Sequence, residues 1–279
     1  MRLASLGSGS AGNALVVEGG RTRLLIDAGF SARQIELRLR KLGMEPASLS
    51  GALITHEHQD HSRGAGVLAR RWGLPLFMTA GTADACAGLF SGTERIVPIQ
   101  GDRAFTLDDL EVEPLQTTHD AADPIAVCVH EPRTGLRVGV ATDLGRPTTS
   151  VRRALGRCHF LVLESNHDEL RLRESPYPWS VKQRIGGSRG HLSNRLAGDL
   201  AAELVHPDLG GVLLAHLSGE CNSREEARNE VGRRLARAGF KGLLQIAEQH
   251  EPTAVYDIGV LAAHARPTRQ LSLFEGRPA

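Results

Sequence analysis

No apolar run in this 279-residue chain approaches the roughly 20 residues needed to span a bilayer, and no basic-flanked apolar segment stands at either terminus. That excludes a membrane-spanning helix, and a soluble, cytoplasmic protein is expected. Cysteine is sparse, and Cys86, Cys128, Cys158 and Cys221 are scattered without any Cys-x-x-Cys pair. A zinc knuckle or dithiol redox motif is therefore not expected, and the four are read as reduced core residues. Net charge is nearly absent, since 33 Lys and Arg face 32 Asp and Glu. A polyanionic partner would have to be met by a local basic patch, not by the global field.

What is present fits a globular α/β protein: 41% hydrophobic residues and 31 glycines, enough for one large domain over 1–265, followed by a tail of different character over 266–279. The chain is organised around Thr55-His56-Glu57-His58-Gln59-Asp60-His61. It follows the short apolar run Gly51-Ala52-Leu53-Ile54, which reads as a buried strand, and precedes a helix start at Ser62-Arg63-Gly64-Ala65. In an extended segment His56 and His58 face the same way and can grip one metal ion. Past the bend, Asp60 and His61 can grip a second. A mononuclear zinc site is the competing reading.

This His-x-His-x-Asp-His pattern after a strand resembles the signature of the metallo-β-lactamase fold superfamily. The resemblance implies a four-layer αββα sandwich with its site at one edge, completed by ligands from later strand ends. Asp27 closes the strand-like Thr22-Arg23-Leu24-Leu25-Ile26 and would orient a ligand histidine. His119 follows the alternating Leu110-Glu111-Val112-Glu113-Pro114-Leu115, Asp143 follows Val138-Gly139-Val140-Ala141, and His216 follows Val212-Leu213-Leu214-Ala215. The implied division places His56, His58 and His119 on one ion and Asp60, His61 and His216 on the other, with Asp143 between. A carboxylate bridge offsets the repulsion of two cations ~3.5–4 Å apart. His/Asp donors accept Mn²⁺ and Zn²⁺ alike, so the metal is left open.

Two polar segments are candidates for substrate contact. Ser8-Gly9-Ser10-Ala11-Gly12-Asn13 is either a backbone cradle for a phosphate, with Ser8, Ser10 and Asn13 adding donors, or an ordinary hairpin. The stretch over 177–194 carries Tyr177, Trp179, Lys182, Arg184, Arg189 and His191, with Ser193 and Asn194 at a helix start. Cations and a stacking ring suit a phosphodiester backbone; a basic surface loop with Ser193 as a cap is the alternative. After the apolar run Phe160-Leu161-Val162-Leu163-Glu164, the polar Ser165-Asn166-His167-Asp168 should line the site; whether His167 or Asp168 touches metal or substrate is left open, with plain capping favoured for Asn166 or Asp168. Other helices are structural: one capped by Ser31 with Ile35, Leu39 and Leu42 inward; one carrying Val67, Leu68 and a core Trp72; one with Leu196, Leu200, Leu204 and Val205 inward; and one opened by a Ser223/Glu226 capping box.

In the tail, Gln270-Leu271-Ser272-Leu273-Phe274 is an apolar island in a polar surrounding, which implies a partner that buries it. It resembles the short peptide by which bacterial DNA-processing enzymes dock on the DNA polymerase sliding clamp. Gln270 would hydrogen-bond at the pocket, while Leu271, Leu273 and Phe274 fill apolar clefts.

Together, the Ser8–Asn13, Thr55–His61, Glu164–Asp168, Tyr177-Pro178-Trp179, Gly190-His191-Leu192-Ser193-Asn194 and Ala215-His216-Leu217-Ser218 segments resemble the bacterial WalJ/YycJ family of DNA exonucleases. The space between Asp143 and His216 leaves no room for the inserted domain of β-CASP nucleases. The resemblance implies metal-dependent 5′→3′ exonucleolytic cleavage of DNA in replication or repair. Asp60 would be essential, and His191 would hold the phosphate or protonate the leaving oxygen. An RNA-processing nuclease and a lactonase or thioesterase on the same fold are the alternatives, because the metal ligands alone do not choose a substrate.

Overall fold

The computed structural model describes residues 1–266, so the Gln270–Phe274 motif lies outside the described residues. The first half of the chain runs β1 (Arg2–Gly7), β2 (Ala14–Gly19), β3 (Thr22–Ile26), α1 (Ala32–Lys41), β4 (Gly51–Leu53), α2 (Gln59–Ser62), α3 (Ala65–Trp72), β5 (Leu76–Thr79), α4 (Ala80–Ala85) and β6 (Ile96–Ile99). There follow β7 (Phe105–Leu107), β8 (Leu110–Gln116), β9 (Ile125–Glu131), β10 (Leu136–Ala141), α5 (Thr149–Leu155) and β11 (Phe160–Glu164). Next come α6 (Glu169–Glu174), α7 (Trp179–Ile185), α8 (Asn194–Glu203), β12 (Gly211–Ala215), α9 (Arg224–Arg237), β13 (Leu243–Ile246), β14 (Tyr256–Asp257) and α10 (Ile258–Ala265).

The strands form two seven-stranded sheets, ordered β14-β1-β2-β3-β4-β5-β6 and β13-β12-β11-β10-β9-β8-β7. Period-two patterning explains how they stack. On β1 and β2, Leu3, Leu15 and Val17 point between the sheets, whereas Leu6, Ala14 and Val16 point toward α1 and α3. On β12, Leu213 and Ala215 join the between-sheet core, while Val212 and Leu214 meet α8 and α9. Strands buried on both faces read as continuous apolar runs, because each face has its own core to fill. The result is the expected αββα sandwich.

Several local expectations meet their physical tests here. Ser31, Thr148, Ser193 and Ser223 each accept a backbone N–H as helix N-caps, and Gly73 closes α3 in the left-handed conformation. Three expectations are corrected. Val67 is 45% and Leu196 39% exposed, because each sits at the solvent edge of its helix's apolar stripe. Trp72 is half-buried, since its indole N–H donates to Glu36 at 3.0 Å and keeps that edge near the surface. The segment over 177–194 is not wholly a loop: Trp179–Ile185 forms α7. No helix of the described residues is long and apolar enough to cross a membrane.

Candidate metal centre

The parallel strands β3 and β4 of one sheet and β10, β11 and β12 of the other end at the same edge of the sandwich. Open α/β sheets offer ligands that end, because the loops leaving the strand carboxyl termini converge there. Asp27 follows β3, His56 and His58 follow β4, Asp143 follows β10, Glu164 closes β11 and His216 follows β12. Asp27, Asp143 and His216 have φ of 62°, 56° and 54°, a left-handed conformation uncommon for residues with a side chain. Strain held at such turns marks positions that the surrounding structure over-determines.

The ligand loop is anchored from below. Asp27 accepts the Thr55 amide at 2.8 Å and the Thr55 hydroxyl at 2.9 Å, and lies 2.7 Å from Nδ1 of His61. The carboxylate thus fixes which His61 nitrogen faces the centre, the arrangement expected for an orienting aspartate. The helical turn α2 places Asp60 beside His61, and it packs on Gly29, where a Cβ would come within 1.6 Å of the Asp60 carbonyl oxygen.

Donor atoms of His56, His58 and His119 lie within 4.8 Å of one another, and so do those of Asp60, His61 and His216. Asp143 stands between the groups: its Oδ2 is 3.1 Å from His61 Nε2, and its Oδ1 is 3.3 Å from His216 Nδ1 and 3.7 Å from His119 Nε2. His119 Nε2 and His58 Nδ1 face each other at 3.3 Å, two ring nitrogens aimed at one point. Buried His56 Nε2 has no hydrogen-bond partner, and Asp143 Oδ2 has no aligned one, His61 Nε2 lying beside it at 3.1 Å. Orphaned donors converging on shared points suit a divalent cation, which satisfies several lone pairs at once.

The electrostatics are those of opposite charges forced together in a dry place. Burial opposes protonation of His216, but Asp143, Asp60 and Glu164 outweigh it and push its pKa up to about 10. Burial likewise opposes protonation of His61, and Asp143 and Asp27 raise it well above the ordinary imidazole range. In return, although burial favours their neutral forms, His216 and His61 hold Asp60 and Asp143 well below the usual carboxylate range. His56 and His119 are pushed down, chiefly by burial. A cation entering such a cluster replaces protons on the imidazoles and keeps the carboxylates ionised.

Glu164, to which the sequence reading gave no individual role, is central to this scaffold. It is fully buried, and its carboxylate lies 2.9 Å from His216 Nδ1 and 2.8 Å from His191 Nδ1, while accepting backbone N–H groups of Leu144 at 3.1 Å and Leu192 at 2.8 Å. Burial works against its charge, yet His191 and His216 hold its pKa at about 2. A carboxylate ending the apolar run Phe160-Leu161-Val162-Leu163 was the available signal, since an ionised group there must find donors.

A cleft of about 360 Å³ opens onto this cluster, lined among others by Ser10, Asn166, Tyr177, Arg184, His191 and Ser218. Residues expected at the substrate divide accordingly. Ser10, Tyr177, Arg184 and His191 reach the cleft, and Arg184 pairs with Asp120. Lys182 does not line it and donates to the Arg173 carbonyl at 2.7 Å. Ser193 caps α8 and bonds Glu169, and buried Asn194 joins Ser165 and Asn222 in a polar network behind the cleft.

The glycine-rich loop joins β1 to β2 as a hairpin, and most of its backbone N–H groups are spent within the protein. Backbone N–H groups of Ser8, Gly9, Ala11 and Gly12 are spent on Glu248, Asn13, Gln249 and Gly9. Ser8 Oγ accepts the His216 N–H at 2.8 Å, and Asn13 Nδ2 lies 3.1 Å from His61 Nε2, so both residues brace ligands instead. Asp168 caps α6 through the Leu170 and Arg171 amides, and Asn166 donates to the His216 carbonyl at 2.9 Å. His167 is buried with Nδ1 unpartnered.

The model for the β-lactamase superfamily domain matches residues 22–213. Exodeoxyribonuclease YycJ of Bacillus anthracis is 35% identical over 249 residues, covering 88% of this chain and 93% of that protein. The chain belongs to the metallo-β-lactamase superfamily, with YycJ and WalJ among its relatives. Exodeoxyribonuclease WalJ of Streptococcus pneumoniae is 32% identical over 238 residues, 84% of this chain and 87% of its own length. The metallo-β-lactamase fold protein YhfI of Bacillus subtilis superposes with a TM-score of 0.70 at 18% identity, covering 92% of this chain and 99% of that one, which attests the fold alone. The β-lactamase superfamily match runs from β3 into β12, ending at Leu213, and so takes in every strand end that supplies the cluster except the end of β12 and His216 beyond it.

Proposed function

We propose that this protein is a dinuclear, metal-dependent phosphodiesterase that removes nucleotides from DNA in the 5′→3′ direction, acting in the cytoplasm in replication or repair. The observation that carries the reading is the pair of donor triads meeting at Asp143, in a chain related over most of its length to proteins named exodeoxyribonucleases. His56, His58 and His119 would hold one ion, Asp60, His61 and His216 the other, and Asp143 would reach both. Mn²⁺ and Zn²⁺ are the candidates, since both accept imidazole and carboxylate donors. Such ions, when bound, supply Lewis-acid stabilisation of phosphoryl oxygens and lower the pKa of a water nucleophile.

The chain's own groups do the rest. Asp27 and Glu164 fix the ring orientation of His61 and His216. Arg184 at the cleft supplies positive charge to a phosphate, and Tyr177 offers a ring on which a base can stack. His191, whose pKa Glu164 raises against the desolvation around it, lines the cleft and can donate a proton to the leaving oxygen.

The test is digestion of duplex DNA labelled at its 5′ or 3′ end, with Mn²⁺, Zn²⁺ or chelator, by wild type and Asp60→Ala. Stepwise metal-dependent release from the 5′ end, lost in Asp60→Ala, is expected. Release from the 3′ end would overturn the polarity, and no cleavage by metal-loaded protein would overturn the nuclease reading. Recruitment by the sliding clamp through Gln270, Leu271, Ser272, Leu273 and Phe274 belongs to the same proposal. Removing 267–279 should abolish clamp binding and leave nuclease turnover on short oligonucleotides intact.

A further inference from the structure

Beside the cleft lies a second groove of about 500 Å³, and His191 lines both. The Ile185–His191 strap lines both and packs on the loop that leaves Asp143, where a Cβ on Gly145 would come within 2.3 Å of the Ser188 carbonyl oxygen; the strap also closes on the end of its own helix, where a Cβ on Gly190 would come within 2.1 Å of the Arg184 carbonyl oxygen. The groove thus begins two residues beyond Asp143, at Gly145.

Its walls carry Arg146, Arg152 and Arg195. Arg152 is paired with Glu203, and Arg195 with Glu169 and Asp199, so the groove's carboxylates are already neutralised. Arg146 is exposed and has no ion pair among the described residues. The floor includes Leu196, 39% exposed on an otherwise inward helix stripe. An uncommitted guanidinium and an exposed leucine lining one groove, which shares His191 with the cleft, match a nucleotide's phosphate and its sugar or base.

We propose that this groove binds the nucleotides of single-stranded DNA adjacent to the scissile phosphodiester, with Arg146 on a phosphate and Leu196 under a sugar or base. This rests on the nuclease reading above and adds a second subsite to it. The strand would pass His191, which both spaces share.

The test is fluorescence anisotropy of a labelled single-stranded oligonucleotide with the full chain in chelator, which reads binding without turnover. Arg146→Ala should weaken binding five- to tenfold and reduce the slope of log affinity against log salt by about 0.7, the loss of one single-strand phosphate contact. Arg146→Lys should recover most of the affinity. Arg153→Ala removes an equally exposed arginine of α5 that does not line the groove, and should change nothing. Wild-type affinity in Arg146→Ala, or an equal loss in Arg153→Ala, would overturn the groove while leaving the nuclease reading standing. A wild-type protein that neither binds nor cleaves DNA would overturn both.

Discussion

Glu164 Oε1 lies 2.9 Å from Nδ1 of His216, a contact that turns His216 Nε2 toward Asp60 at 3.2 Å. The carboxylate sets the tautomer, and the tautomer decides which nitrogen is offered to a cation. Glu164→Gln keeps the shape but supplies an amide in place of an anion. Metal affinity should fall about 10- to 100-fold, the usual effect of losing an outer partner of a ligand histidine. Isothermal titration of chelator-stripped protein measures it, and an unchanged affinity would contradict the orienting role.

Metal-free protein should be most stable near pH 6.5. His216, with its pKa at about 10, stabilises the fold fully below the unfolded imidazole value of about 6.5 and loses this as pH climbs toward 10; His61 and His191, also raised, act in the same direction. His167 runs the other way, since burial lowers it to about 4, and burial also lowers His56 and His119. The His167 contribution is complete above about 6.5 and disappears as pH falls toward 4, and His56 and His119 act in the same direction. Thermal melts across pH 4–10 should trace that maximum, and saturating Mn²⁺ or Zn²⁺ should remove the alkaline decline by taking the protons' place.

Gly29 should not tolerate a side chain. A Cβ there would come within 1.6 Å of the Asp60 carbonyl oxygen and 2.7 Å of the Asn13 nitrogen, both backbone atoms that cannot rotate away. Gly29→Ala is expected to destabilise by several kcal/mol or to push Asp60 out of place, seen as a lower urea midpoint together with lost metal binding. A stable variant with full metal affinity would show that the loop relaxes freely.

Arg184 lines the cleft and is tied to Asp120, which in turn lies 3.3 Å from His119 Nε2. Replacing it with alanine should raise KM for oligonucleotides several-fold and flatten the salt dependence, with a smaller effect on kcat, because a phosphate contact made equally in ground and transition states contributes uniform binding. A fall confined to kcat would instead place Arg184 at the reacting atoms.

The sequence by itself determined the strands, because apolar runs of strand length and side chains that alternate along them are local patterns; the four-layer arrangement and the candidate ligands at later strand ends came through the family resemblance that the His56–His61 motif carries. His56, His58, Asp60, His61, His119, Asp143 and His216 were all legible in this way, and the structure brings them into one cluster. The burial of Trp72, Val67 and Leu196 was less legible, since periodicity finds a helix's apolar stripe but not its solvent edge. Only the tertiary structure decided which polar groups were already spent. Ser8, Asn13, Ser193 and Asn194 look like substrate donors in the chain, yet partners distant in sequence satisfy them. Glu164 was the converse, an unremarkable strand-end glutamate until folding surrounded it with His191, His216 and the amides of Leu144 and Leu192. Hydrogen-bond satisfaction is a property of the whole fold, because a donor's partner can lie two hundred residues away, as Ser8 does from His216.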